Sequence, residues 1–143
     1  MTNTTSPYIK AFRAFLDALA EHDFDAVVAL VEDDFQIIRA PESLQQPPMD
    51  IQQVVSGLGK IFVDSFPKGQ PQIFETKDTI PTFIAHVTSS GTTFKGNALR
   101  GEYVMFAEFE TAKEGGGPPK MKKLTEFLDS KTTEEFYKAE RNV

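Results

Sequence analysis

The chain has 143 residues, a length that suits one domain with its own hydrophobic core. It contains no cysteine, which excludes disulfides, zinc–thiolate sites and a cysteine nucleophile. Its net charge of −6 argues against nucleic acid and anionic membranes as partners, because both repel an acidic surface. The first residues, Met1–Pro7, are polar and lack the basic and apolar segments of a signal peptide, so we predict a cytoplasmic protein.

Three helices are predicted in the first half of the chain. Ser6 and Pro7 form a capping residue and a helix-starting proline, and the apolar residues that follow recur every three or four positions. Aspartates precede the next two apolar runs and can cap them. We therefore predict a first helix over residues 6–21. The second begins at Asp23 or Asp25 and runs through Val31 to the acidic residues 32–34. The third begins at Asp50 and runs towards Pro67.

Between the second and third helices, Phe35–Arg39 predicts a short strand that Pro41 stops. Residues 42–49 contain Pro47 and Pro48 and are typical of a loop at a surface or a pocket rim.

After residue 72 the apolar period changes to two, which predicts a four-stranded meander. Turns are expected at Gly91, at Gly96 and Asn97, and over residues 115–119. A last short helix, capped by Thr132 or Ser130, closes the chain. The predicted strands are Gln72–Thr79, Thr82–Ser89, Leu99–Glu110 and Lys120–Leu128, and the last helix covers Thr132–Tyr137.

Helices followed by a long sheet indicate an α+β fold, in which the N-terminal helices cover one face of a curved, mainly antiparallel sheet. Such a fold is a cone with an opening at one end. We assign residues 1–143 to this single domain, with 1–5 as a flexible start and 138–143 as a tail. The 13 phenylalanines can fill a dense core or line an apolar cavity, and we expect both uses.

Two charged residues lie on otherwise apolar strand faces. Glu126 alternates with Leu124 and Leu128, which favours a pocket over a solvated surface. Arg39 shares its face with apolar strand residues, and either lines the same pocket or pairs with Glu42 at the surface.

Two further residues are candidates on the middle strands. Tyr103 alternates with Met105 along its strand, and Glu102 points the opposite way unless a bulge at Gly101 shifts the register. We prefer Tyr103 as the residue that lines the pocket. His86 is either a half-buried structural residue or a group that shuttles a proton or donates a hydrogen bond to a ligand.

Several short segments, in their order and spacing, resemble the SnoaL-like branch of the nuclear transport factor 2-like superfamily. The resemblance covers most of the chain and is greatest to fungal ring-rearranging isomerases of meroterpenoid pathways and to a fungal indole-alkaloid semipinacolase. The segments are Arg39–Leu44 with Pro47 and Pro48, Arg100–Val104, and Glu126–Ser130 followed by Glu135 and Phe136.

The resemblance implies different chemistry from the ketosteroid isomerases of this superfamily. In this sequence, the position of their carboxylate base is occupied by Arg39 and that of their helix tyrosine by Phe15. The position of their protonated aspartate lies near Tyr103. Arginine stays protonated and cannot abstract a proton from carbon as a carboxylate does. The semipinacolase-like proteins are thought to use an arginine, tyrosines and a glutamate. Arg39, Tyr103 and Glu126 match these roles, while the place of a second tyrosine falls near Ala107.

These observations predict a cofactor-independent isomerase or cyclase that acts on a hydrophobic, polycyclic secondary metabolite, with no cofactor and no metal. The alternatives are a non-catalytic binding or interaction module and a hydratase or dehydratase. A homodimer is expected, because two-fold pairing is the commonest symmetric assembly. The predicted catalytic residues are Arg39, Tyr103, Glu126 and His86, and the predicted substrate-binding residues are Phe15, Leu124, Leu128 and Phe62.

Overall fold

The computed structural model describes residues 6–67, 71–77, 79 and 81–141. Within these residues the chain forms helices and strands in the α+β order predicted from the sequence. The elements are α1 (Pro7–Ala20), α2 (Phe24–Ala29), β1 (Val31–Ala40), a 3-10 helix (Glu42–Leu44), α3 (Ile51–Ile61), β2 (Phe62–Pro67), β3 (Ile73–Glu75), β4 (Thr82–Thr93), β5 (Ala98–Phe109), β6 (Met121–Leu128) and α4 (Ser130–Arg141).

The first three α-helices begin at the predicted capping side chains. Ser6 caps α1, and Asp23, one of two predicted alternatives, caps α2. Asp50 accepts a hydrogen bond from the Gln53 backbone, and the Gln53 side chain accepts one from the Asp50 backbone. This reciprocal capping box satisfies two backbone donors at the start of α3.

Two predicted helices end earlier in the structure. α2 stops at Ala29, and the acidic residues 32–34 lie in β1, which starts at Val31 and contains a register shift before Gln36. α3 stops at Ile61, because the next residues form β2 and pair with the second half of β4. Strand pairing overrides the helical period in both places, and only the folded sheet shows where the partners lie.

The sheet has the strand order β1-β6-β5-β4-β2, and β3 pairs with β4. β1 and β6 run parallel, whereas the other pairs are antiparallel. Strands β3 to β6 form the predicted meander. Gly91 does not turn the chain as predicted, because β4 continues through it and pairs it with Leu99. The turn lies at Gly96, whose φ of +87° suits glycine.

Helix α4 is longer than predicted and begins after a different capping residue. It runs from Ser130 to Arg141 rather than from Thr132 to Tyr137. Asp129 accepts hydrogen bonds from the backbone N–H and the side-chain hydroxyl of Thr132. The added C-terminal part includes Glu140, whose side chain accepts a hydrogen bond from the side chain of Asn97.

The inward-facing side chains are packed at one end of the cone and line a cavity at the other. On each long strand, the inward positions near one end belong to the core and those near the other end reach the cavity. On β5, for example, Ala107 and Phe109 are buried core, while Tyr103 and Met105 reach the cavity. Phenylalanine fills most of the closed end, through Phe12, Phe15, Phe35, Phe83 and Phe109.

None of the helices in the described part of the chain is long and apolar enough to span a membrane.

Candidate functional site

The open end of the cone contains a cavity of about 150 Å³ with a mainly apolar wall. Helices α1, α3 and α4 and all the strands except β3 contribute to it among the described elements. The polar side chains that line it are Arg39, Ser89, Ser90, Tyr103, Glu126, Thr133 and Tyr137. A concave apolar site with a few polar groups is typical of small-molecule binding.

Arg39 and Glu126 are brought together by the parallel pairing of β1 and β6. They are direct register partners, and Arg39 Nε lies 3.7 Å from Glu126 Oε2. The two side chains retain only 22% and 13% of their exposure. Arg39 Nε is buried and has no hydrogen-bond partner among the described residues. The two charges therefore interact across a distance longer than a hydrogen bond.

Burial raises the pKa of Glu126, because the apolar cavity disfavours the carboxylate, and Arg39 opposes this rise only in part. Burial also works against the charged form of Arg39, but Glu126 and the Tyr137 hydroxyl outweigh it, so the pKa of Arg39 is raised. The site thus combines a fixed cation with a carboxyl group whose pKa is raised, which favours a role in proton exchange.

Tyr103 lies in the cavity because β5 is regular. The β4–β5 register runs without a shift from Ala98 to Glu108, so no bulge occurs at Gly101. A Cβ atom at Gly101 would lie 2.6 Å from Tyr103 Cε1, which shows that the ring occupies the space above this glycine. Burial, supported by Glu126, raises the pKa of Tyr103, so its hydroxyl serves as a hydrogen-bond donor.

Tyr137 is a site residue that the sequence analysis missed. It lies on α4, and its hydroxyl oxygen accepts a hydrogen bond from Arg39 Nη1 at 3.0 Å. A second tyrosine therefore reaches the site from the last helix rather than from the neighbourhood of Ala107. The helical spacing from Thr133 to Phe136 and Tyr137 was the available signal, but nothing in the sequence places this helix over the cavity.

His86 lies outside the cavity, contrary to its predicted role at the site. The inward positions of β4 are odd-numbered, so His86 points to the outer face. There its Nε2 lies 2.8 Å from Glu102 Oε1, and both side chains are largely exposed. The outward direction of Glu102 agrees with the alternation on β5.

The four predicted substrate-binding residues divide into two groups. Phe62 and Leu128 line the cavity. Phe15 and Leu124 are instead fully buried in the closed end, one inward position below the cavity on their elements. The sequence pattern indicates which face of an element points inward, but the depth at which the core ends and the cavity begins depends on the whole sheet.

The fold, with N-terminal helices on a strongly curved mixed sheet, is that of the nuclear transport factor 2-like proteins, as the sequence predicted. BvnE pinacolase from Penicillium brevicompactum is similar over 94% of this chain and 94% of its own, with a TM-score of 0.77 and 17% identity. AusH from Aspergillus nidulans is similar over 90% of this chain and 88% of its own, with a TM-score of 0.69 and 17% identity.

A third similar structure is an NTF2-like protein of unknown function from Burkholderia pseudomallei. It is similar over 92% of this chain and 98% of its own, with a TM-score of 0.69 and 12% identity. No protein-family model matches the sequence, and comparison with curated protein sequences gives no significant match. At such low identities the likeness establishes the fold, and the chemistry has to be argued from the residues.

Proposed function

We propose that this protein is a cofactor-independent isomerase or cyclase that rearranges a hydrophobic, polycyclic secondary metabolite in its central cavity. One observation carries the proposal: an arginine and a glutamate, with side chains only 22% and 13% exposed, lie side by side in an apolar cavity, 3.7 Å apart. The fold shared with BvnE pinacolase agrees with this choice.

Each polar residue has a role that follows from its chemistry. Arg39 polarises a substrate oxygen and stabilises negative charge that develops there, because its positive charge is fixed. Glu126 moves the proton, since burial raises its pKa towards the range of a useful general acid or base. Tyr103 donates a hydrogen bond to the substrate. Val54, Leu58 and Phe62 form an apolar wall against which the rings of a hydrophobic substrate can pack.

A conversion screen tests this proposal. The protein is incubated with oxygenated polycyclic terpenoids, indole alkaloids and aromatic ketones, and the products are analysed by mass spectrometry and chromatography. An isomerase gives a product of unchanged mass and new retention time. A dehydratase gives a product lighter by one water, and a hydratase gives one heavier by one water.

Variants separate catalysis from binding in the same screen. Glu126→Gln keeps the size of the side chain but cannot exchange a proton, so it should abolish conversion while a bound compound still binds. Glu134→Gln removes an exposed carboxylate from α4 and should convert normally. If compounds bind tightly but none is converted, the binding-module alternative replaces the enzyme. If Glu126→Gln converts as fast as the wild type, Glu126 does not move the proton.

We also propose that two copies pair through the outer face of the sheet. A row that is apolar except for one threonine crosses this face, formed by register partners on successive strands: Phe74, Ile84, Phe106, Thr125 and Ile38. The charged residues beside it are paired within the chain, His86 with Glu102 and Lys123 with Glu108. In a two-fold dimer the same surface of both copies meets. A face whose charges are balanced within one chain does not repel a second copy of itself.

A further inference from the structure

The hydroxyl hydrogen of Tyr137 is not donated to any other described residue. Its oxygen accepts a hydrogen bond from Arg39 Nη1, so its own hydrogen points away from the guanidinium. No acceptor for that hydrogen occurs in the described part of the chain. Tyr137 lines the cavity, and an oxygen atom of a ligand can therefore take the position of the missing acceptor.

Tyr103 provides a second hydroxyl group in the same cavity. It lines the cavity and forms no hydrogen bond with another described residue. Both tyrosines interact electrostatically with the Arg39 guanidinium. A hydroxyl that accepts a hydrogen bond from a cation becomes a stronger donor, because hydrogen bonds in a chain polarise one another.

Tyr137 is also held firmly in place. The neighbouring Phe136 stacks on Phe62, with ring centroids 5.7 Å apart and an interplanar angle of 7°. Further along α4, Glu140 Oε2 accepts a hydrogen bond of 2.7 Å from the Asn97 side chain. The hydroxyl is thus preorganised, as an oxygen-binding donor must be.

We propose that Tyr137 binds the ligand oxygen directly, as a donor backed by Arg39, and that Tyr103 is the second donor to that oxygen. The ligand class is an apolar ring compound that carries a carbonyl, enol or phenol oxygen on which negative charge can develop. This inference rests on the proposed function, because it names the group that holds the oxygen while Glu126 moves the proton.

The probe for this site is 2-naphthol, compared with naphthalene, which has the same rings but no oxygen. The naphthol and naphtholate forms absorb light at different wavelengths, so the ionisation of the bound probe is measured directly. The wild type should stabilise the bound naphtholate. Tyr137→Phe keeps the ring and its contacts, and should reduce the bound naphtholate-to-naphthol ratio by about tenfold or more, equal to about one unit in the pKa of the probe.

Tyr8→Phe is the matched control. The Tyr8 hydroxyl accepts a hydrogen bond from the Ala112 backbone and does not line the cavity. This variant should bind both probes as the wild type does. Tyr137→Phe should bind naphthalene unchanged, which separates loss of the hydroxyl from disturbance of the cavity.

The inference is overturned if Tyr137→Phe stabilises naphtholate as well as the wild type does, or if Tyr8→Phe loses it equally. It is also overturned if the wild type binds neither probe. These results are distinct from failure of the proposed function, because probe binding needs no turnover. A protein that holds naphtholate through Tyr137 but converts no substrate would keep the oxygen site and lose the isomerase assignment.

Discussion

Arg39 and Glu126 face each other across the parallel strands β1 and β6, with 3.7 Å between Nε and Oε2. The distance exceeds that of a charge-assisted hydrogen bond, which is about 2.7–2.9 Å. The attraction is accordingly too weak to offset burial, and the pKa of Glu126 is raised rather than lowered. A carboxyl group that can hold its proton beside a permanent cation is the central chemical feature of this cavity.

Glu126→Gln should change how stability depends on pH. The raised pKa of Glu126 means that its stabilising contribution is complete below its unfolded pKa, about 4.3, and is lost as the pH rises through its folded value. Glutamine does not titrate, so the variant gains stability relative to the wild type over that window. The gain is at most about 1.4 kcal/mol per pH unit. Urea unfolding at a series of pH values measures it.

Glu134→Gln is the control for loss of one surface charge, and its stability should follow that of the wild type at each pH. A difference between Glu126→Gln and wild type that stays constant across the series would show that Glu126 titrates as a solvated residue.

Arg39→Met should destabilise the protein most at the pH values at which Glu126 is ionised in the wild type. Removing one partner leaves an uncompensated buried charge, which costs about 3–5 kcal/mol. The pKa of Glu126 should rise further, because Arg39 is the group that lowers it. The double variant Arg39→Met with Glu126→Leu should recover most of the loss, and a double-mutant cycle measures the coupling. Additive effects of the two substitutions would contradict an interaction between these residues.

Gly101→Ala should displace the ring of Tyr103. The new Cβ would lie 2.6 Å from Cε1, so the ring must move, at a cost of about 1–3 kcal/mol. Binding of 2-naphthol should fall as a result. Gly57→Ala is the matched control, because nothing lies within 4 Å of its Cβ and alanine favours α3 by about 0.5–1 kcal/mol. Unchanged probe binding by Gly101→Ala would mean that the Tyr103 ring does not lie against Gly101.

Phe136→Ala should loosen α4 and open one wall of the cavity. Phe136 is only 7% exposed, and truncating a buried phenylalanine costs about 3–5 kcal/mol. Hydrogen exchange should rise in α4 before it rises in the sheet. Phe94→Ala removes a ring that is 66% exposed and should leave α4 protected. Equal exchange in both variants would mean that Phe136 does not anchor the helix.

Phe127→Lys should favour the monomer. Phe127 is 53% exposed on β6 and pairs with Val104 on the proposed dimer face. A charge there would be desolvated in a dimer but not in a monomer. Sedimentation velocity measures the mass of each species, and Phe94→Lys controls for an added surface charge. A wild type that sediments as a monomer at all concentrations would refute the dimer.

The amino-acid sequence by itself determined much of the local structure and indicated three of the polar residues that line the cavity. Capping residues such as Ser6 and Asp50 fixed where helices begin, because a side-chain cap acts within three residues. Strict alternation placed Tyr103 and Glu102 on opposite faces of β5. Arg39 and Glu126 stood out because a charge among apolar strand neighbours is unusual.

Only the tertiary structure decided how far each element extends and which residues meet. Pairing with β4 placed the residues after Ile61 in a strand, although the apolar residues there continue the helical period of α3. The packing level of the whole sheet put Phe15 in the core and Glu126 in the cavity, and the direction of β4 put His86 outside. Tyr137 met Arg39, 98 residues away in sequence, because α4 docks across the open end of the cone. Contacts between distant segments depend on the complete arrangement of layers, which no local pattern encodes.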